Sequence, residues 1–428
     1  MSLQDPLTIL SLIAILPALI VVIFNVTGSL MVLLRYQQSK PNRKLLEPSV
    51  SILRPLKGYD DNLQINLESS FLLNYTNYEI ILSIADINDP AYPIALALIS
   101  KYPNVNASLI IGNGYFFFKN VSGDIDVGVN PKINNLVRGY EQSTSEYIWI
   151  LDSNIRMEPD SLNRSMNIFL NDSKIGLVHH LPCGINPLSF GAYLDAVYLS
   201  CTHARMYTAA NTLATTSCVI GKSNLFRKCD LDKCGGLRYF GKYLAEDNII
   251  GSHILDLGFK HQIAPDLAFQ SLGNVSFYTF MERRIRWIRV RKYTVFFVTL
   301  IESLAECLIN SILMAAICFQ LFSIPFIHYI IAQWIIWFLL DMNIALQTFF
   351  PYRQKNLDIF KFICAWMIRE LLAFPIWLIA MIGTEVIWRG QPYQLFTDGT
   401  VEPILKSDKD INELLIVVES DQKEFLNS

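Results

Sequence analysis

An α/β fold with a mainly parallel sheet, set between an N-terminal membrane anchor and a C-terminal membrane block, is predicted by three observations. Between residues 46 and 292, short apolar runs alternate with stretches of helical pattern. One run, Tyr147-Ile-Trp-Ile-Leu-Asp152-Ser-Asn154, ends abruptly on a carboxylate. Buried central strands of parallel sheets look like this, and ligands gather at their carboxyl ends. Long apolar stretches flank the region on both sides. Of 428 residues, 52% are apolar and 17% charged, with a formal net charge of -3. That balance points to a membrane protein, and the lack of a large basic cluster argues against nucleic acid as a partner.

The N-terminal segment, residues 1–45, contains Leu7 to Leu34, an apolar run long enough to span a bilayer. It lacks the basic start of a signal peptide and is too long for one, so it reads as a retained anchor. Asp5 precedes it, while Arg35, Lys40, Arg43 and Lys44 follow. The positive-inside rule then puts the next region in the cytosol, where its N-x-S/T sequons stay unmodified and its cysteines reduced.

Residues 46–292 read as one catalytic domain. Strands are expected at Val50 to Leu53, Glu79 to Ile84, Ser108 to Ile111, Tyr147 to Leu151 and Gly176 to His179. Helices are expected at Leu63 to Leu72, Ile94 to Lys101, Ile133 to Gln142, Leu162 to Leu170 and Asn248 to Leu257. Neither a Walker loop nor a G-x-G-x-x-G turn is present, so any nucleotide is held by other means. Asn113 to Asp126 reads as a loop whose Tyr115-Phe-Phe-Phe118 run either meets the membrane interface or packs on the domain. Within residues 293–392, Leu304 to Ser323, Phe326 to Phe350 and Phe362 to Trp388 are each long enough to cross a membrane or lie deep in it. The alternative is that they are re-entrant. They carry Glu306, Asp341, Arg369, Glu370 and Glu385, and a structural pairing of Arg369 with a carboxylate is preferred over a lipid-headgroup role. Residues 393–428 form a tail.

Four polar stations fall at the expected ligand edge: Asp86-Ile-Asn-Asp89, Asp152-Ser-Asn154, Glu246-Asp247 and Arg283-Arg-Ile-Arg286-Trp287. Carboxylates, a divalent cation and arginines are the parts needed to move a sugar from a nucleoside diphosphate. The cation and arginines neutralise the leaving diphosphate, and a carboxylate deprotonates the incoming hydroxyl. Each station is common by chance, whereas the ordered set is far more specific. A strand-end aspartate alone is more often a helix cap.

With these stations the chain resembles the ceramide glucosyltransferases, membrane members of the GT-A-fold inverting glycosyltransferases, from Ser51 to about Thr400. Local matches include Pro55-Leu-Lys-Gly58, Asn130-Pro-Lys-Ile-Asn-Asn-Leu136, Ala245-Glu-Asp247, Ile368-Arg-Glu370 and Trp388-Arg389. The resemblance implies a GT-A-type, Rossmann-like nucleotide-sugar domain. It implies that Asp89 serves the nucleoside part of the donor site and Asp152 coordinates a metal, Mg2+ or Mn2+. Asp247 is then the general base, and Arg283, Arg286 and Trp287 hold the diphosphate and the acceptor end. Lys132 either adds charge near the phosphates or is a surface lysine at a helix N-terminus. His203 and Cys218 match positions near the donor pocket, although a lone His or Cys is more often structural. Asn154 stands where many relatives in the wider superfamily carry aspartate, which implies a lost or water-replaced metal ligand.

The implied reaction joins UDP-glucose and ceramide at a bilayer, in the Golgi or the endoplasmic reticulum, with the catalytic domain on the cytosolic side. Arg289, Arg291 and Lys292, just before the membrane block, favour an anionic cytoplasmic leaflet. An active site tethered there suits an acceptor hydroxyl at headgroup level. Competing readings are transfer to another lipid, a processive polysaccharide synthase, and a non-catalytic sphingolipid-binding protein. The synthase needs a channel from more apolar segments, and the binding protein needs broken acidic stations, which are intact here.

Overall fold

The computed structural model describes residues 6–37, 47–60, 62–112, 126–213, 217–352, 358–388 and 391–404. Lys40, Arg43, Lys44, Tyr115 to Phe118, nearly all of the Asn113 to Asp126 loop, Arg389 and the tail beyond residue 404 lie outside the described residues. Helix α1 (Pro6–Gln37) runs unbroken through Pro17. Strands β1 (Val50–Leu56), β2 (Tyr78–Ile84), β3 (Ala107–Ile111) and β4 (Tyr147–Leu151) follow. They alternate with helices α2 (Leu63–Phe71), α3 (Ala91–Lys101) and α4 (Pro131–Gln142). These four strands are the ones whose apolar runs the sequence displays, and their inner residues are buried.

Next come β5 (Ile155–Arg156), α5 (Ser161–Asn171), β6 (Ile175–Pro187) and α6 (Phe190–Tyr198). A π-helical turn, Leu199–His203, joins α6 to α7 (Ala204–Leu213). The domain continues through β7 (Ser223–Arg227), the short helices α8 (Lys228–Lys233) and α9 (Gly236–Tyr239), α10 (Glu246–Asp256) and β8 (Lys260–Gly273). The eight strands form one sheet in the order β3-β2-β1-β4-β7-β6-β8-β5. The α/β class is as expected, but the sheet is more mixed than a mainly parallel one. β7 runs antiparallel to both β4 and β6, and β5 antiparallel to β8. This reversal matters for the site. The carboxyl ends of β1, β2 and β4 share one edge with the amino end of β7.

The last part is helical. α11 (Phe277–Thr294) leads into α12 (Phe296–Glu302), α13 (Cys307–Phe322), α14 (Phe326–Thr348) and α15 (Ile359–Ile382). Three helical stretches are long and apolar enough to cross a membrane: Ser11–Tyr36, Phe326–Thr348 and Ile359–Ile382. The stretch expected at Leu304 to Ser323 falls mainly on α13, which is bent by 74° from the preceding helical stretch Phe296–Ala305, so the two together make a broken span or a re-entrant pair. Glu306 is extended at the break, and the Cys307 N–H it frees donates to Glu370 Oε2 at 3.2 Å. The stretch expected to run to Trp388 ends as a helix at Ile382. Beyond Gly383, Glu385–Trp388 is a strand, β9, paired with β10 (Gln391–Leu395), which pairs in turn with β11 (Val401–Pro403). A short run rich in Val and Ile fits a strand as well as a helix end.

Candidate active site

The polar centre of the ligand edge is built from four loops. Asn130 accepts from Lys132 N (2.9 Å) and Ile133 N (3.2 Å), which caps α4, and Pro131 follows at its first position. The same side chain donates to Tyr243 O (2.8 Å) and Glu246 Oε2 (2.9 Å), so it ties the start of α4 to the start of α10. Lys132 is thereby aimed inward. Its ammonium lies 2.9 Å from Asp152 Oδ1 and 3.1 Å from Glu246 Oε1, and it donates to Gly221 O at 3.1 Å. From the start of β7, Lys222 donates to the other Asp152 oxygen at 2.8 Å. Arg54, fully buried on β1, fixes the β4 turn by donating to Asp152 O (3.0 Å) and Ile155 O (2.8 Å).

Charge sets the protonation states. Burial works to raise the Asp152 carboxyl, but Lys132 and Lys222 outweigh it and hold it at about 2. Burial also works against the Lys132 ammonium, yet Asp152, Glu246 and Asp247 raise it further still, so it stays charged. Asp247 behaves differently. Burial and the Glu246 carboxylate push it up to about 7, against the pull of Lys132. Asp247 Oδ1 accepts from Asn248 N at 2.8 Å. A Cβ at Gly221 would sit 2.8 Å from Lys132 Nζ and 3.0 Å from Asp247 Oδ2, so the backbone there must approach bare. One carboxylate is locked in its charged form beside a second poised near neutrality, an arrangement typical of acid–base sites.

The other expected residues are placed as follows. Asp89, in the turn between β2 and α3, accepts from Gly58 N (2.9 and 3.0 Å) and from Ala91 N (2.9 Å), which joins the β1 and β2 edges. Lys132 is no ordinary surface lysine, since it sits at the centre of the cluster. His203 stacks on Tyr207 with ring centroids 5.1 Å apart and lies 6.4 Å from the Trp287 ring. Burial, then Arg284 and Arg291, push it down to about 3, so it is a neutral ring. The Arg283-x-x-Arg286-Trp287 station departs from expectation. Arg283 pairs with the fully buried Asp195 of α6 at 2.5 Å, because both lie on the α6–α11 contact. Arg286 makes a 3.5 Å contact to Ile387 O of β9. The structure brings Lys132, Asp152, Glu246 and Asp247 together and gives Arg283 other work.

Lys222 and Arg54 escaped the sequence reading. Lys222 precedes a short strand with no clean apolar run, and its place depends on that strand running backwards. Among the described residues no group of three or more His, Cys, Asp or Glu side chains is spaced to hold a metal. The side chains of the β4 turn that would give a hard cation oxygen ligands are Asp152, whose two oxygens face Lys132 and Lys222, and Asn154, whose buried Oδ1 has no hydrogen-bond partner among the described protein atoms.

The sequence model of glycosyl transferase family 21 matches residues 10–401. A ceramide glucosyltransferase of Komagataella phaffii is 31% identical, covering 93% of this chain and 92% of its own. Ceramide glucosyltransferase 3 of Caenorhabditis elegans is 30% identical over 86% of this chain and 78% of its own. Among solved structures, a mannosyltransferase from Pyrobaculum calidifontis in complex with GDP-Man and Mn2+ aligns with a TM-score of 0.47 at 14% identity. That alignment covers 87% of this chain and 98% of the other. On the extent of the family match and the identity to the yeast enzyme, this chain belongs to glycosyl transferase family 21.

Proposed function

We propose that this protein transfers glucose from UDP-glucose to the primary hydroxyl of ceramide, with inversion, giving β-glucosylceramide and UDP. Membership of the family and the printed names of its relatives support the reaction class. The observation that carries the mechanism is the cluster in which Lys132 bridges Asp152 and Glu246 beside Asp247, where burial and Glu246 raise the Asp247 carboxyl to about 7. Asp247 takes the hydroxyl proton as the ceramide oxygen attacks the anomeric carbon. The bond from that carbon to the diphosphate oxygen breaks, and UDP leaves with the electron pair. Lys132 and Lys222 offer the growing negative charge two ammoniums in a partly buried site. Asp152 and Asn154 are the residues that would hold Mg2+ or Mn2+, which supplies further positive charge to the diphosphate when bound. Asp89, bound to the Gly58 turn, shapes the nucleoside end. Trp287, beside His203, and Arg286 border the acceptor end, while Arg283 positions α11 through Asp195.

The bilayer setting follows from the apolar helices. We place the catalytic region on the cytosolic side of a Golgi or endoplasmic-reticulum membrane, with its α1 anchor and C-terminal helices in the bilayer. Membranes carrying Asp247→Asn at normal protein level are expected to lose at least about 10²-fold of glucosylceramide formation. Undiminished product would sink the base assignment. Mass spectrometry of the wild-type product separates this reading from a glycosylated lipid of another kind or a polymer.

A further inference from the structure

A cavity lies where α6, α11, the break between α12 and α13, and α15 meet. It is separate from the carboxylate cluster. Its polar lining has two guanidiniums, Arg284 and Arg369, and two carboxylates, Glu302 and Glu306. Each charge already has a partner. Arg369 Nη2 meets Glu306 at 2.6 Å, Glu302 accepts from Arg291, and Arg284 Nη2 is 3.4 Å from Asp195. A lining balanced in this way has no net charge to draw a phosphate and suits an uncharged polar group.

Arg284 is the unusual member. It is only 4% exposed, and its guanidinium is clamped between Tyr198 (4.0 Å to the ring centre) and Trp287 (3.9 Å). Its Nε and Nη1 are buried and meet no acceptor among the described protein atoms. Two buried donors without a partner, on a residue that lines the cavity, call for an acceptor oxygen. The remaining walls, Phe280, Ile288, Ala373 and Ile376, are apolar. Two of these lie on α15, whose outer face exposes Met367, Leu371 and Leu378 as a lipid-facing helix does. On the other side, Trp287 neighbours His203, and Tyr207 stacks on His203.

We propose that this cavity seats the amide headgroup of the lipid acceptor, with the amide carbonyl oxygen accepting from Arg284 Nε and Nη1. The acyl and sphingoid chains leave along α15, and the Trp287–His203 side faces the reacting hydroxyl. The assignment rests on the ceramide reading above and deepens it. It also separates Arg284 from Arg283: both reach Asp195, but Arg284 keeps two buried donors without a partner.

The test uses the full-length wild-type protein in detergent. A short-chain ceramide with a diazirine on the acyl carbon next to the carbonyl is irradiated with it, and adducts are mapped by peptide mass spectrometry. Adducts are expected on α11 or α15 around Phe280, Ile288, Ala373 and Ile376, and unlabelled ceramide should compete them away. In parallel, Ala373→Leu narrows the cavity without removing a charged group. It is expected to raise KM for ceramide about tenfold while KM for UDP-glucose stays within about twofold. Adducts confined to other segments, or an unchanged ceramide KM in Ala373→Leu, would overturn the proposal and leave the reaction standing. Wild-type protein that makes no glucosylceramide would instead remove the reaction itself.

Discussion

Lys132 gathers Asp152, Glu246 and Asp247 around one ammonium, so its removal tests how that charge sets the chemistry. A base works only when deprotonated. With Asp247 held at about 7, kcat/KM should fall as pH drops through that region and plateau above it. Asp152, held at about 2, stays ionised throughout and adds nothing to this acid limb. Lys132 pulls the Asp247 value down, so Lys132→Met takes that pull away. The acid limb is then expected to move to higher pH, by about one unit or less in a cluster reached by solvent. The measurement is a pH profile of kcat/KM for each protein. A midpoint that stays put or falls would show that Lys132 does not tune the base.

Among the elements, α1 makes a tighter contact with the catalytic domain than an anchor needs. At Gly28 its backbone meets α7 so closely that a Cβ would lie 2.1 Å from Arg205 O. Arg35, at its far end, donates to Ile263 O of β8. Gly28→Val therefore has to push the helices apart, at a cost of about 1–3 kcal/mol for overpacking. A lower thermal midpoint in detergent is expected, with Leu30→Val on the exposed face as a control that moves little. Equal midpoints would mean that α1 is only a tether. The same scale explains what the sequence revealed. β1 to β4 are apolar runs ending on polar turns, and Asp89, Asp152 and Asp247 each stand at the end or start of such an element. β8 stayed hidden because Pro265 and Asp266 interrupt its pattern. Pro265 lies where the pairing with β6 shifts register, and Asp266 is buried against Arg164. α6 and α7 show no clear stripe because they are buried nearly all round, with Asp195 and Arg205 inward. The bend at Glu306 depends on a partner, Glu370, sixty-odd residues away, which no local pattern displays.

Across the whole molecule, the sheet region and the long apolar helices share one core. Leu181 of β6, Ala192 of α6, Trp337 of α14 and Trp366 of α15 belong to a single buried cluster, joined by Val32 of α1. Charged groups cross the same junction. Arg205 of α7 pairs with Asp341 of α14, both fully buried, and Trp366 Nε1 donates to Asp341 Oδ2 at 2.9 Å. The Arg205 guanidinium also lies 4.8 Å from the Trp337 ring. Beside it, Arg369 joins Glu306, Glu370 and Thr202. Buried ion pairs add little net stability over apolar replacements, but losing one partner strands the other charge. Asp341→Asn keeps the Trp366 acceptor and leaves Arg205 uncompensated, at a cost of about 3–5 kcal/mol. Adding Arg205→Met removes the stranded charge and is expected to restore most of the loss. Thermal unfolding of the two variants in one detergent measures this as a large drop for the single change and a partial return for the double. A double variant no more stable than Asp341→Asn would mean that the junction is held by its apolar packing alone.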